Sequence, residues 1–385
     1  MNQTLSIMVS AGEASGDAHA AHALQALSEL GVAGNSFGMG AGALQQQGTE
    51  LIVDCRDLAV IGFADVLKNY PRFIKRLRLL RRTLEQRHPD ILLLVDYPDF
   101  NLKLAETAKA LGIPVLFYIS PKVWAWRSGR IQRIASLVTH MAVLFPFEVP
   151  IYEKAGVAVT YVGNPVVKDA VSEFDRDEAC IHFGLSPRHK VIALLPGSRH
   201  GEIKRNLPIM IDTAQIIREQ SDEIQFLLPI APTLDESLLR SSTNQVLPDF
   251  VHLTRGDSRD AMRAADAALV ASGTATLETA LIGTPMIVMY VINALNYAVM
   301  KRLIKIPDIS LVNIVAKRRI VPEYLQHEAQ AELIAADLLS LIHDADRRTQ
   351  MQEDLTQVKL KMGDSGASRR VAELLISVAE QEQIH

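Results

Sequence analysis

An apolar run at residues 191–195 stops at Pro196-Gly197-Ser198, Arg199 follows at once, and a polar-apolar helical pattern starts near Gly201. Strand, small-residue turn, arginine, helix start: that order gathers free backbone N–H groups and a fixed positive charge at one point, which suits the diphosphate of a nucleotide. A second loop of similar design, Ser272-Gly273-Thr274-Ala275-Thr276-Leu277-Glu278, lies at another strand-to-helix junction. Two such junctions put the expected nucleotide domain in the second half of the chain.

The first half alternates strands and helices. Residues 5–10 predict a strand, after which Ala11-Gly12-Glu13-Ala14-Ser15-Gly16-Asp17 turns into a helix ending near Gly31. Residues 91–95 are a continuous Ile/Leu/Val run, as in a central parallel strand. Further strands are predicted at 114–119, 141–145 and 159–162, the last closing a domain at Gly163-Asn164-Pro165. Residues 166–190 are charged and mixed and read as a linker with a short helix. Alternation resumes with strands at 191–195, 225–229, 251–254, 267–271 and 286–291, and residues 329–382 are largely helical with a break at Gly363-Asp364-Ser365-Gly366. A chain of 385 residues suits two domains of ordinary size. The expected class is α/β: two doubly wound, Rossmann-like domains with a cleft between them, spanning 1–165 and 191–362, and a terminal segment 363–385.

Composition narrows the functions. The net charge of −4, from 40 Lys+Arg against 44 Asp+Glu, is no global nucleic-acid signature, so any basic function is local. Cys55 and Cys180 belong to no CxxC or Cys/His cluster and read as buried free thiols. No signal peptide is recognised at the N-terminus. The most apolar window, 285–300, carries Asn293 and Asn296 and is too short and interrupted to span a membrane. The expected location is cytosolic, with peripheral membrane contact left open.

Asp96, in Val95-Asp96-Tyr97-Pro98-Asp99, follows a buried strand, where ligands of open α/β sheets gather. It reads as a catalytic carboxylate or as a turn aspartate; Asp99 suits a capping role better. Apolar neighbours Tyr97, Pro98 and Phe100 would raise its basicity. Arg199 suits a departing nucleoside diphosphate, because a guanidinium bridges two of its oxygens. Glu278, one turn into the helix after Ser272-Gly273-Thr274, would turn to ribose hydroxyls, or would answer the helix dipole. The Gly12–Asp17 loop lacks dinucleotide-fingerprint and P-loop spacing. His19 and His22 lack further metal ligands and read as helix-face residues, and there is no Gly-x-Ser-x-Gly elbow. No metal or cofactor is expected.

Residues 63–87 carry a different signal. Phe63, Leu67, Tyr70, Ile74, Leu77 and Leu84 recur at helical spacing, with Lys68, Arg72, Lys75, Arg76, Arg78, Arg81, Arg82 and Arg87 interleaved. Pro71 is expected to start a second helix. Such a segment suits an anionic membrane surface, or a packed helix with a solvated basic face. Lys301, Arg302 and Lys305 form a smaller basic-apolar patch.

Taken together, Ala11-Gly-Glu-Ala-Ser-Gly-Asp17, Asp96-Tyr-Pro-Asp-Phe-Asn101, Tyr118-Ile-Ser-Pro-Lys-Val-Trp-Ala-Trp-Arg127, Leu144-Phe-Pro-Phe-Glu148, Leu195-Pro-Gly-Ser-Arg199 and Ala271-Ser-Gly-Thr-Ala-Thr-Leu-Glu278 resemble the lipid-A-disaccharide synthases, inverting glycosyltransferases of the GT-B fold in Gram-negative bacteria. The resemblance runs along nearly the whole chain. It implies transfer of 2,3-diacylglucosamine from UDP-2,3-diacylglucosamine to the 6-hydroxyl of 2,3-diacylglucosamine 1-phosphate, giving a β-1,6 disaccharide 1-phosphate and UDP, without a metal. Asp96 then matches the catalytic base and Arg199 the arginine at the UDP phosphates, and Ser198, Ser272, Gly273, Thr274 and Glu278 of the two loops read above are expected on the UDP side with it. Gly12, Glu13, Ser15, Gly16, Asp17, Trp124 and Trp126 would line the acceptor side, and Asn313 matches an asparagine near the active cleft. Arg72, Lys75, Arg76 and Arg78 would meet the inner face of the inner membrane, and residues 363–385 would pack back on the first domain. Asn164 stands where many relatives carry histidine, and Lys168 near a position where they carry aspartate. Rival readings are a lipid-linked N-acetylglucosaminyltransferase, a UDP-sugar 2-epimerase and a nucleotide-binding peripheral protein without catalysis.

Overall fold

A computed structural model describes residues 4–58, 63–124, 129–231, 239, 247–293, 297 and 308–382, apart from the side chains of 57–58, 63–69 and 381–382. Trp126 and the 301–306 patch lie outside the described residues. The chain divides into two units, Met1–Pro165 with Asp364–His385, and Val166–Gly363.

The first unit holds seven strands: β1 (Thr4–Ala11), β2 (Ala33–Gly40), β3 (Glu50–Asp54), β4 (Ile91–Val95), β5 (Val115–Tyr118), β6 (His140–Val143) and β7 (Ala158–Tyr161). All pair in parallel, in the order β3-β2-β1-β4-β5-β6-β7. Alternate residues feed opposite faces. Met8, Leu92, Leu94 and Phe117 join one core, and Ile7, Val9, Leu93 and Leu116 the other. Burial on both faces is why β4 reads Ile-Leu-Leu-Leu-Val without a polar interruption. The helix Ala367–Glu382 covers the second face through Val371, Ala372, Leu375 and Val378, and Arg370 Nε donates to the Val162 carbonyl at 2.7 Å.

The second unit holds β8 (Lys190–Leu195), β9 (Ile224–Ile230), β10 (Val251–Arg255), β11 (Ala267–Ala271), β12 (Met286–Tyr290) and β13 (Glu323–Leu325), all parallel, in the order β10-β9-β8-β11-β12-β13. Residues 166–190 carry the helices Val166–Asp169 and Arg176–His182. Arg176 ties the latter to this unit, with Nη2 2.8 Å from Asp266 and Nη1 donating to the Pro187 carbonyl at 3.0 Å.

One local expectation is corrected. Pro71 does not start a helix but lies inside the continuous helix Phe63–Arg87. Leu77, Leu80 and Leu84 are buried at helical spacing, and their packing outweighs the backbone hydrogen bond an interior proline forfeits.

Candidate active site

In both sheets the chain order reverses at one place, between β1 and β4 and between β8 and β11. Adjacent loops leave a parallel sheet in opposite directions at such a switch point and open a crevice at the carboxyl ends of the strands. The two main residue sets singled out above leave from these two places.

In the first unit Ala11 pairs with Val95, Val95 with Tyr118 and Tyr118 with Ala142, so Gly12, Asp96, Ile119 and Val143 stand in line along one edge. The backbone there is contorted: Asp96, Tyr97 and Ile119 have φ of 46°, 47° and 68°. Left-handed geometry at a β-branched residue is a marked outlier, and such outliers persist only where their surroundings enforce them. Asn101 does so for Asp96. Its buried amide donates to the carbonyls of Asp96 at 2.7 Å, Ser10 at 3.2 Å and Val95 at 3.3 Å, while Ser10 Oγ donates to its oxygen at 2.6 Å. The Asp96 N–H donates to the Tyr118 carbonyl at 3.0 Å. Gly12 lies against Tyr97, and a Cβ there would come within 2.2 Å of the ring, so no other residue fits without a shift.

The Asp96 side chain itself is half-buried. Burial holds its carboxyl above the ordinary range, the nearby Glu13 charge adds to the rise, and Lys122 opposes it. Glu13 and Ser15 are exposed and Gly16 is buried against Val95. Trp124 is half-buried, its indole N–H directed at Glu148.

Asp17, expected on the acceptor side, is engaged within the fold. Its carboxylate accepts from the amides of Ala41 at 2.6 Å, Ala43 at 2.9 Å and Leu44 at 3.3 Å, clamping the turn after β2 to the first helix. It is 3% exposed, with its oxygens committed to the backbone. Asp17→Ala orphans three amide groups and is expected to cost about 2–3 kcal/mol in urea unfolding. Unchanged stability would return Asp17 to the ligand site.

In the second unit, Val270 pairs with Leu195 and Ala271 with Met289, so the loops at Pro196–Arg199 and Ser272–Thr274 leave side by side. Ser198, Gly273 and Thr274 are exposed and Ser272 is half-buried. The helices His200–Gln220 and Thr274–Ile282 start there, and their first amides have no intrahelical acceptor. Arg199 Nη1 lies 3.0 Å from Glu202 on a side chain 82% exposed. Asn206, buried, staples the edge: it donates to the Pro196 carbonyl at 3.3 Å and accepts from the Val291 amide at 3.1 Å. Burial raises the Glu278 carboxyl above its ordinary range against the pull of Arg259, whose Nε is 3.7 Å away, and Asp169 adds to the rise.

Asn313, expected near the active cleft, is likewise engaged within its own unit. Its amide donates to the Val321 carbonyl at 2.9 Å and Glu323 at 2.7 Å, and its oxygen accepts from the amides of Ile320 at 2.8 Å and Val321 at 3.0 Å. All four hydrogen-bonding positions are filled internally, and the residue is buried, so it organises the turn into β13. Sequence reading missed Asn101 and Asn206. Asn101 stood inside a quoted motif, five residues past Asp96, which is the available signal for it.

A family model described as lipid-A-disaccharide synthetase matches residues 7–377. The lipid-A-disaccharide synthase of Syntrophus aciditrophicus is 44% identical over 381 residues, covering 99% of each chain. Among solved structures, UDP-GlcNAc 2-epimerase from Neisseria meningitidis bound to UDP-GlcNAc aligns with a TM-score of 0.63 at 14% identity, over 97% of this chain and 100% of that one. The calicheamicin glycosyltransferase CalG4 aligns with 0.62 at 12%, over 99% of each. At those identities the likenesses bear on the fold alone: two doubly wound parallel α/β domains of the GT-B kind.

Proposed function

The chain belongs to the lipid-A-disaccharide synthetase family, and on that footing we propose that it is an inverting glycosyltransferase moving 2,3-diacylglucosamine from UDP-2,3-diacylglucosamine to 2,3-diacylglucosamine 1-phosphate. The acceptor 6-hydroxyl oxygen attacks the anomeric carbon and the bond from that carbon to the UDP oxygen breaks. The hydroxyl proton passes to Asp96, and UDP leaves carrying the electron pair. Attack from the face opposite the leaving group gives the β-1,6 disaccharide 1-phosphate. Asp96 suits this role because burial and Glu13 make its carboxylate a stronger base than a free aspartate. Arg199 and the helix start at Thr274 neutralise charge building on the diphosphate, with Ser198, Ser272 and Gly273 alongside and Glu278 turned to the ribose. The acceptor is handled by Gly12, Glu13, Ser15, Gly16, Trp124 and Trp126.

The observation that carries this reading is the pairing of family membership with chemistry at the switch points: a carboxylate of raised basicity at one, an exposed guanidinium beside two helix starts at the other. Incubating the purified protein with UDP-2,3-diacylglucosamine and the monosaccharide 1-phosphate tests it. Disaccharide and UDP are expected; epimerised or untouched UDP-sugar rejects it.

The reading includes peripheral attachment to the inner face of the inner membrane. No helix among the described residues is long and apolar enough to cross a bilayer. On Phe63–Arg87, Arg72, Lys75 and Arg78 are exposed beside exposed Tyr70 and Leu79, and Arg76 is half-buried. Arg81 and Arg87 are engaged with Glu106 and Glu50. Each basic residue at an anionic surface contributes about 1 kcal/mol. Reversing Arg72, Arg76 and Arg78 to glutamate is therefore expected to abolish co-sedimentation with anionic vesicles at physiological salt; unchanged binding rejects the attachment.

A further inference from the structure

We propose that Glu148 is a positioning residue for the acceptor: its carboxyl fixes the Trp124 indole, and with it residues 120–124, at the edge that carries Asp96. This rests on the reading above that Trp124 faces the acceptor. Glu148 follows β6 and is 3% exposed. Its Oε1 accepts from Ser120 Oγ at 2.5 Å and Trp124 Nε1 at 3.2 Å, and its Oε2 accepts from the Phe145 amide at 3.1 Å. One carboxyl thus ties the loop after β5 to the loop after β6.

A carboxyl taken out of water costs stability unless donors converge on it, and here they come from two loops at the edge that carries Asp96. Burial pushes the Glu148 carboxyl up to about 7, against donors from Ser120, Phe145, Trp124 and Leu144 that favour its charge. What the carboxyl holds is informative. Ser120 and Trp124 flank Lys122, which is exposed and acts electrostatically on Asp96. Trp124 meets Phe147 edge-on at 5.2 Å, and Phe147 stacks on Phe145 at 5.3 Å. The half-buried indole is thereby held between a hydrogen bond at its edge and an aromatic pair, which fixes the ring plane. A fixed aromatic plane is a common surface for an amphipathic sugar to rest on.

The test separates positioning from scaffolding by which substrate suffers. Glu148→Ala is expected to raise the acceptor KM about tenfold, as fits the loss of the hydrogen bonds that hold the indole and residue 120, with the UDP-sugar KM within about twofold. Trp124→Phe keeps a ring but loses the N–H and is expected to raise the acceptor KM by a smaller factor. The double variant is expected to be no worse than Glu148→Ala alone, because both changes cut one linkage. Should Glu148→Ala fail to fold, Glu148→Gln keeps the volume and an acceptor for the indole but turns a donor toward the Phe145 amide; a selective rise in acceptor KM is still expected. Independent multiplication of the two single effects, an equal rise in both KM values, or an unchanged acceptor KM overturns the proposal. Absence of disaccharide formation by the parent protein would instead overturn the reading on which it rests.

Discussion

Asp96→Asn is expected to lower kcat about 10²–10⁴-fold while leaving the melting temperature and UDP affinity close to those of the parent. Asparagine is the sharper variant than alanine, because residue 96 sits at φ 46° and asparagine tolerates left-handed geometry while offering no basic oxygen. The local backbone does not rest on the carboxylate alone, which accepts from the Tyr97 amide, an acceptor role the asparagine oxygen keeps. It is held by Asn101 donating to the Asp96 carbonyl and by the Asp96 N–H donating to Tyr118. Loss of turnover would therefore report chemistry and not collapse of the loop. A general base works ionised, so kcat/KM should fall as pH drops through its pKa. Burial and Glu13 raise that pKa, which moves the acidic limb above the ordinary carboxylate range. Glu13→Gln removes the second cause and should move the limb down. Near-normal turnover in Asp96→Asn would remove the residue from the base role.

The residues legible in the sequence are those whose chemistry is local. Asp96 follows its apolar strand directly and Arg199 follows its own after a three-residue turn, and a strand end in an open sheet is where ligand groups stand. Asn206 and Glu148 draw their importance from partners 85 and 28 residues away, and no spacing rule reaches that far. For Asp17 and Asn313 the internal partners, too, are visible only in the fold. A polar residue in a loop looks available until its backbone partners are counted. The same contrast holds for the strands. Buried runs such as β4 and β8 announce themselves, whereas β2, Ala-Gly-Asn-Ser-Phe-Gly-Met-Gly, has the composition of a turn. Its glycines serve packing: at Gly38, φ 142°, a Cβ would lie 2.0 Å from the Val9 carbonyl oxygen of the neighbouring strand. Close approach, not loop freedom, explains glycine there.

Arg199→Ala is expected to lower kcat/KM for the UDP-sugar about 10²–10³-fold, the scale seen when one preorganised donor to developing charge is lost. The leaving diphosphate gains negative charge as the glycosidic bond breaks, so a cation that meets it contributes more in the transition state than in the ground state. Arg199 is prepared for that exchange. Its guanidinium is exposed and rests 3.0 Å from Glu202, and a surface pair of this kind contributes only about 0–1 kcal/mol. Exchanging one carboxylate for two diphosphate oxygens therefore costs little and gains a bidentate contact. The Glu202 carboxylate, near the start of the same helix, also accepts from the Arg199 amide at 3.4 Å, so its side chain stays at the helix cap when the guanidinium leaves it. Arg199→Lys keeps the charge but not the planar fork, and its rate should fall between parent and alanine variant. Initial rates with varied UDP-sugar, together with calorimetric titration by UDP, separate the outcomes. If Arg199→Ala retains both UDP affinity and turnover, the diphosphate does not depend on this arginine and the charge must be met by the helix starts alone.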